Sequence, residues 1–124
     1  MCGIAGFTDF TCDFTNKEPY WKNILEKMHE SLAHRGNDNF GTYLKKHTGF
    51  SHARLSIRDI AGGAQPMVRR LGNREYAIVF NGEIYNTDEL VPDLKKAGFT
   101  FHTTSDTEVI LYSFIQYGMD FVSK

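Results

Sequence analysis

Apolar residues in the first part of the chain follow two different patterns. Residues 2–8 (CGIAGFT) are small and apolar, and this run is too short and too rich in glycine for a helix, so it predicts a buried strand. A stripe with helical spacing follows, and it predicts a packed helix that Pro19 opens and Gly36 ends. The stripe consists of Trp21, Ile24, Leu25, Met28 and Leu32.

The middle of the chain alternates apolar runs with turn residues. The runs 40–46 and 50–57 flank His47-Thr48-Gly49, and together they predict a β-hairpin. A further strand is predicted over residues 76–80, closed by the dipeptide Asn81-Gly82.

The segment after Asn81-Gly82 predicts a helix with an unusual interior residue. Asn86 and Glu89 match a capping box at its start, and Gly98 is suited to its end. Pro92 lies inside it and is expected to kink the helix or to delay its start, since proline cannot donate a backbone hydrogen bond.

The end of the chain predicts a short strand over residues 99–102 and then a strongly apolar helix. Ser105 and Glu108 form a second capping pair at the start of this helix, and Gly118 ends it. Strands therefore cluster between helices along the chain, which favours a layered α+β domain over an alternating parallel α/β fold.

The composition of the chain limits how many domains it can form and which partners it is expected to bind. The chain has 124 residues, 41% of them hydrophobic, which suits one globular domain with no room for a second catalytic one. A formal net charge of −1 and the lack of extended basic clusters predict neither a nucleic-acid nor a membrane partner. No run approaches the roughly 18 apolar residues of a spanning helix, and the N-terminus does not resemble a signal peptide. We therefore expect a cytoplasmic location.

The cysteine pattern predicts neither a disulfide framework nor a metal site. Cys2 and Cys12 form no CxxC pair, and the histidines form no HxxxH pair, so we expect no metal centre. Removal of Met1 would leave a thiol and a free α-amine on Cys2. An α-amine is a usable base near neutral pH, and a cysteine thiol is already a few per cent nucleophilic thiolate there, so one residue would supply both base and nucleophile. The alternative is that Cys2 only starts a buried strand.

The dipeptide Asn81-Gly82 also allows two interpretations. Between apolar runs it is the strongest local signal for a hairpin with a type I′ turn. Alternatively, the Asn81 side-chain amide and the Gly82 backbone N–H would converge on one developing negative charge as an oxyanion hole.

Three charged residues are candidates for binding a substrate with both a carboxylate and an ammonium group. Arg54 alternates with Leu55 along its strand, where its guanidinium suits a carboxylate, unless it is a surface arginine. Asp106 follows Ser105 and is either a helix-start charge or a counter-ion for an ammonium group. Glu83 is equally open to both interpretations.

Six ordered blocks, taken together, resemble the glutaminase domain of class II, N-terminal nucleophile, glutamine amidotransferases, in particular that of glutamine-hydrolysing asparagine synthetases. The resemblance runs from Met1 to the end of the chain. The pair HRGNDN and HARLSIRD, followed by GAQPM, favours the asparagine synthetase branch over the sugar-phosphate amidotransferases. The blocks are MCGIAGF (1–7), HRGNDNFG (34–41), HARLSIRD (52–59), GAQPM (63–67), FNGEIYNTDEL (80–90) and TSDTEVIL (104–111).

This resemblance implies a fold and a set of catalytic roles. The fold would be a four-layer αββα sandwich, incomplete at the C-terminus, with Cys2 at the end of an inner strand. Cys2 would attack the side-chain amide of glutamine and form a thioester, while Asn81 and Gly82 would stabilise the tetrahedral oxyanion.

The resemblance also implies substrate-binding roles. Arg54 would hold the α-carboxylate of glutamine, Glu83 and Asp106 would hold its α-ammonium group, and backbone groups near Ile57 would complete the pocket. Asn37 stands where the family usually has proline, so we expect a less rigid loop there.

The family pairs this domain with a synthetase domain that these residues do not contain. The chain has no GxxxxGK[ST] or GxGxxG motif, so we expect no cofactor here, with ATP and magnesium belonging to the absent domain. The expected partners are glutamine and a synthetase domain or subunit, and an exposed sheet edge would favour a homo-oligomer. Two alternatives are a non-catalytic fragment that keeps the fold as a binding or assembly piece, and a glutaminase that feeds an acceptor other than aspartate.

Overall fold

A computed structural model describes residues 2–55 and 62–124 of the chain. The chain divides into two compact units. The first contains residues 2–55 with Ala64–Pro66 and Val79–Asn81, and the second contains residues 62–63, Met67–Ile78 and Gly82–Lys124. Helices and antiparallel strands occur together, which confirms the predicted α+β class. Among the described residues, no helix is both long and apolar enough to cross a membrane.

The first unit is built on a three-stranded antiparallel sheet with the order β1-β3-β2. Its strands are β1 (Gly3–Thr8), β2 (Asn39–Lys45) and β3 (Thr48–Arg54). The predicted hairpin is confirmed, but its turn is shorter than expected, because β3 already begins at Thr48. The backbone oxygens of both turn residues are bound from outside the hairpin: Lys46 O accepts from Phe14 N–H at 2.7 Å and His47 O accepts from Asp9 N–H at 3.0 Å.

One face of this sheet is covered by helix α1 (Glu18–Leu32), which a 3-10 turn over Ala33–Arg35 extends. The predicted stripe is confirmed as the inner face of α1, with Leu25 fully buried. Phe7, Phe14 and Trp21 pack together with ring centroids 4.6–5.2 Å apart, which ties α1 to β1. Pro19 lies in the first turn of α1, where its missing N–H costs no helical hydrogen bond.

The second unit contains a two-stranded antiparallel ribbon, β4 (Met67–Leu71) and β5 (Arg74–Ile78). β4 was not predicted, because Arg69 and Arg70 obscure its apolar pattern. The turn lies at Gly72, whose φ of 57° is the left-handed conformation that glycine tolerates. The hairpin interpretation of Asn81-Gly82 is wrong, since no strand follows it and the next regular element begins at Thr87.

Two helices form the core of the second unit, α2 (Thr87–Lys96) and α3 (Asp106–Tyr117). Leu94, Val109 and Tyr112 are buried together, and partly buried side chains from both helices and from residues 99–101 surround them. The Tyr112 hydroxyl donates to the Thr100 carbonyl at 3.0 Å, so the connection between the helices is fixed to this core.

Both predicted capping pairs need correction. Asn86 occupies the N-cap position of α2, but its side chain donates to the Lys124 carbonyl at 3.2 Å and makes no cap bond. α2 nonetheless begins at Thr87 and passes through Pro92, so the proline does not delay its start. Ser105 does cap α3, accepting from Thr107 N–H at 3.2 Å, whereas Glu108 turns to other partners.

The predicted strand over residues 99–102 does not form, and Glu108 binds the backbone at the end of this segment. The fully buried Glu108 carboxylate accepts from the backbone N–H groups of His102 and Thr103 at 3.1 and 2.8 Å. It also accepts from Arg69 Nη2 at 2.7 Å and Arg69 Nε at 2.8 Å, which joins β4 to α3. Burial by itself raises the pKa of Glu108, but the hydrogen bonds from Arg69 and Thr103 outweigh it and hold the pKa below its ordinary value of 4.5.

We predict that Glu108→Gln lowers the free energy of unfolding at pH 7 by about 3 kcal/mol, because it leaves the partly buried Arg69 without its counter-ion. Since the folded-state pKa of Glu108 is depressed, its stabilisation is complete above pH 4.5 and is lost as the pH falls through the lowered value. Denaturant unfolding at several pH values should therefore show the gap between variant and wild type shrinking in acid.

The matched control is Asp93→Asn, which removes an exposed pair with Lys96 and should change stability by about 0.5 kcal/mol or less. Equal losses for the two variants, or a gap that does not depend on pH, would contradict the role given to Glu108.

Candidate active site

Cys2 lies at the start of β1, beside the end of the central strand β3. Gly3 pairs with Ala53 in the antiparallel ladder, so Cys2, which precedes Gly3, and Arg54, which follows Ala53, lie at the same end of it. The half-buried Cys2 Sγ is 3.9 Å from the Leu55 carbonyl oxygen. The first unit thus brings the predicted nucleophile and the predicted carboxylate-binding arginine together.

Arg54 is held firmly at this position. The residue is only 8% exposed, so the interpretation as a surface arginine is wrong. Arg54 pairs with Asn39 of β2, and its carbonyl accepts from Asp38 N–H at 3.0 Å. Gly36 lies so close that a Cβ atom there would clash with the Arg54 backbone, so only glycine allows this packing.

An open cavity of about 580 Å³ lies on the Leu55 side of this ladder end. It borders the residue whose carbonyl contacts Cys2, and its wall includes Asn37, for which the sequence predicted a less rigid loop. The lining residues are Ala33, His34, Arg35, Gly36, Asn37 and Leu55.

His52 is a buried polar residue that sequence reasoning did not single out. Successive side chains of a strand alternate between its faces, so His52 and Arg54 share the face opposite α1. His52 is 1% exposed. Burial and the nearby Arg54 charge lower the pKa of His52 more than its hydrogen bond with the Phe80 backbone raises it, so the ring is neutral at pH 7.

The hydrogen bond between His52 and Phe80 has a definite direction. A bond that raises the pKa of a histidine is donated by a ring N–H, so the acceptor is the Phe80 carbonyl oxygen. Nε2 has no hydrogen-bond partner in the described part of the chain, which leaves Nδ1 as the donor. The Phe80 N–H donates to Gln65 Oε1 at 2.5 Å, so both backbone groups of Phe80 are bound.

Asn81 follows Phe80 in the first unit, and its side chain is exposed. Gly82 and Glu83 are also exposed and belong to the second unit. In that unit Asp106, the first residue of α3, accepts from the Ile84 N–H through Oδ2 at 3.0 Å. This bond places Asp106 next to the backbone that follows Glu83, so the two predicted ammonium-binding residues lie close together.

The predicted site residues thus fall into two local groups. Cys2, Arg54 and Asn81 belong to the first unit, and Gly82, Glu83 and Asp106 belong to the second. Ile57 lies outside the described residues. His52 and Gln65 were missed in the sequence analysis, although the blocks HARLSIRD and GAQPM contain them. A histidine or a glutamine gives no local signal that its side chain will bind the backbone of Phe80.

Comparison with known proteins identifies the class. The model of a glutamine amidotransferase domain family matches residues 1–124, so the chain belongs to the glutamine amidotransferase domain family. The chain is 39% identical over 122 residues to glutamine-hydrolysing asparagine synthetase 3 of Bacillus subtilis (strain 168), covering 98% of this chain and 19% of the relative.

Two further relatives are also named as glutamine-hydrolysing asparagine synthetases. A probable glutamine-hydrolysing asparagine synthetase of Dictyostelium discoideum is 41% identical over 123 residues, covering 98% of this chain and 21% of that protein. The glutamine-hydrolysing asparagine synthetase B of Escherichia coli (strain K12) is 34% identical over 122 residues, covering 98% and 21%. The chain therefore spans about a fifth of the length of these curated relatives.

We predict that Asp106→Ala lowers the free energy of unfolding by about 2 kcal/mol, since a charge-assisted hydrogen bond contributes roughly 1.5–3 kcal/mol. Because the Ile84 N–H loses its acceptor, its hydrogen exchange should accelerate. Asp88→Ala removes a carboxylate from the first turn of α2 and should cost only about 0.5 kcal/mol, the worth of a helix-dipole contact. Unchanged exchange at Ile84 in Asp106→Ala would show that the bond does not order this loop.

Proposed function

We propose that this chain, once Met1 is removed, hydrolyses glutamine to glutamate and ammonia through a thioester on Cys2. The observation that carries the proposal is the position of Cys2 and Arg54 at the same end of the β1–β3 ladder. A nucleophile and a cation that suits a carboxylate there match a small substrate with a carboxylate at one end and an amide at the other. Membership in the glutamine amidotransferase family gives the substrate class.

The chemistry begins with attack of Cys2 Sγ on the side-chain amide carbon of glutamine. The free α-amine of Cys2 accepts the thiol proton and returns it to the leaving nitrogen, which departs as ammonia. The oxygen of the tetrahedral intermediate takes hydrogen bonds from the Asn81 side-chain amide and the Gly82 N–H. Collapse leaves a thioester on Cys2, and water then releases glutamate through a second tetrahedral intermediate.

Charged residues orient the substrate in this proposal. The Arg54 guanidinium binds the α-carboxylate in a bidentate manner. Glu83 and Asp106 bind the α-ammonium group, and Asp106 does so with the oxygen capacity left beyond its bond to Ile84 N–H. Backbone groups near Ile57 complete the pocket.

The wider context of the reaction is also a proposal. We propose that the complete fold is a four-layer αββα sandwich, and that the ammonia passes to a synthetase domain or subunit that makes asparagine with ATP and magnesium. The names of the relatives support this acceptor, and the fifth of their length that the chain spans leaves room for such a domain in those proteins. No cofactor is needed for the glutaminase steps, because Cys2 supplies both nucleophile and base.

We predict that Cys2→Ala abolishes ammonia release, because it removes the nucleophile. Cys12→Ala provides the matched control, since it removes the other thiol of the chain and should leave the rate unchanged. Ammonia and glutamate are measured with each protein after Met1 removal is verified by intact mass. A chain that retains Met1 has no free amine on Cys2 and should be inactive. Equal release by wild type and Cys2→Ala would refute the nucleophile, and no release by either would favour a binding or assembly role.

We predict that Arg54→Lys raises KM for glutamine by about 10–100-fold, because lysine keeps the charge but loses the planar guanidinium that binds a carboxylate with two hydrogen bonds. This factor corresponds to the roughly 1.5–3 kcal/mol that a charge-assisted hydrogen bond contributes. Turnover at saturation should change much less. Arg70→Lys alters an exposed strand arginine paired with Glu75 and should leave both constants unchanged. Steady-state kinetics with glutamine separate the outcomes, and an unaltered KM in Arg54→Lys would remove Arg54 from the carboxylate role.

A further inference from the structure

We infer that His52 and Gln65 are positioning residues that fix the backbone of Phe80 and thereby direct the side chain of Asn81. The inference rests on the proposed function, because Asn81 is the residue proposed to donate its amide to the oxyanion. Neither His52 nor Gln65 is required to touch the substrate.

Side chains, and not a strand ladder, satisfy both backbone groups of Phe80. The residue lies beyond the end of β5 at Ile78. Its N–H donates to Gln65 Oε1 at 2.5 Å, and its carbonyl accepts from the His52 ring. Phe80 is half-buried, and these two bonds specify where its peptide lies. The backbone that enters Asn81 is therefore fixed immediately before the candidate oxyanion donor.

One bond originates from the central strand of the first unit, and the other from a residue that packs against the neighbouring strand β2. His52 belongs to the central strand and pairs with Ile4 on one side and Gly41 on the other. Gln65 lies against Gly41, where a Cβ atom would clash with the Gln65 carbonyl oxygen. His52 thus belongs to one cross-strand pair, two residues from Arg54, and Gln65 packs against Gly41, the other member of that pair.

Asn81 depends on this support because its own side chain is exposed. Packing around the amide group therefore does not hold it, and its direction follows from the backbone that precedes it. An oxyanion donor acts only when it is correctly placed, and a displacement of about 1 Å can cost roughly 100-fold in rate. Loss of either bond to Phe80 should impair turnover while glutamine still binds at Arg54.

The test uses matched pairs of variants in the Met1-processed chain. Gln65→Met keeps the approximate shape but removes the acceptor oxygen, whereas Gln65→Glu keeps an oxygen at the same position. His52→Leu removes the donor, whereas the Asn side-chain amide in His52→Asn places a donor near the position of Nδ1. Glutamine kinetics, hydrogen exchange of the Phe80 amide and NMR relaxation of the Asn81 side-chain amide are measured for each. Exchange at Ala53, in the core of the sheet, reports whether each variant remains folded.

We expect Gln65→Met and His52→Leu to lower kcat by about 10–100-fold with KM within about twofold of wild type. The Asn81 amide should become more mobile in both, and Phe80 exchange should accelerate in Gln65→Met, while Gln65→Glu and His52→Asn recover most of each property. If the first two variants keep the wild-type kcat, or change only KM, the inference is overturned. If His52→Leu does not fold, Gln65→Met decides the question alone.

Failure of the proposed function is distinguishable from failure of this inference. If the processed wild type releases no ammonia, the glutaminase proposal fails, but Asn81 relaxation still reports whether His52 and Gln65 fix this residue. Wild-type mobility of Asn81 in both Gln65→Met and His52→Leu overturns the inference whether or not the chain is active.

Discussion

The pairing of β3 on both of its edges is the constraint on which the first unit depends. β1 and β2 each form an antiparallel ladder with β3, so the position of every side chain on this sheet follows from one register. The face covered by α1 receives small and aromatic residues. His52 and Arg54 lie on the opposite face, and Cys2 lies at the end of the β1–β3 ladder. A shift of one residue would exchange the two faces, placing Arg54 against α1 and removing the candidate site.

The second unit is organised around a carboxylate. Glu108 is fully buried, yet it accepts hydrogen bonds from Arg69 on β4 and from the backbone N–H groups of His102 and Thr103. One side chain thereby binds the backbone at His102 and Thr103 and joins it to β4. These hydrogen bonds fix the connection between α2 and α3, which has few regular backbone hydrogen bonds of its own.

In each unit, a side-chain oxygen accepts a hydrogen bond from a backbone N–H that lies next to predicted site residues. Phe80 N–H donates to the Gln65 side chain, and Ile84 N–H donates to the Asp106 side chain. The residues between them are Asn81, Gly82 and Glu83, which carry the proposed oxyanion and ammonium contacts and are themselves exposed. Exposed functional groups on a loop need their backbone held from outside, because they gain little from packing. The glutamine amidotransferase family provides the chemistry that this arrangement would serve.

The sequence by itself determined β1, the inner stripe of α1, the β2–β3 hairpin and the capped start of α3, because each follows from a local period or a local turn preference. The ordered blocks also identified the family and the seven candidate site residues. Only the tertiary structure decided that Asn81-Gly82 is not a hairpin turn, that Glu108 leaves its capping box, and that His52 and Gln65 both bind Phe80. These outcomes depend on hydrogen bonds between residues that are distant in the chain, such as Glu108 with Arg69 and His52 with Phe80. A local sequence pattern does not specify such partners, because only folding brings them close together.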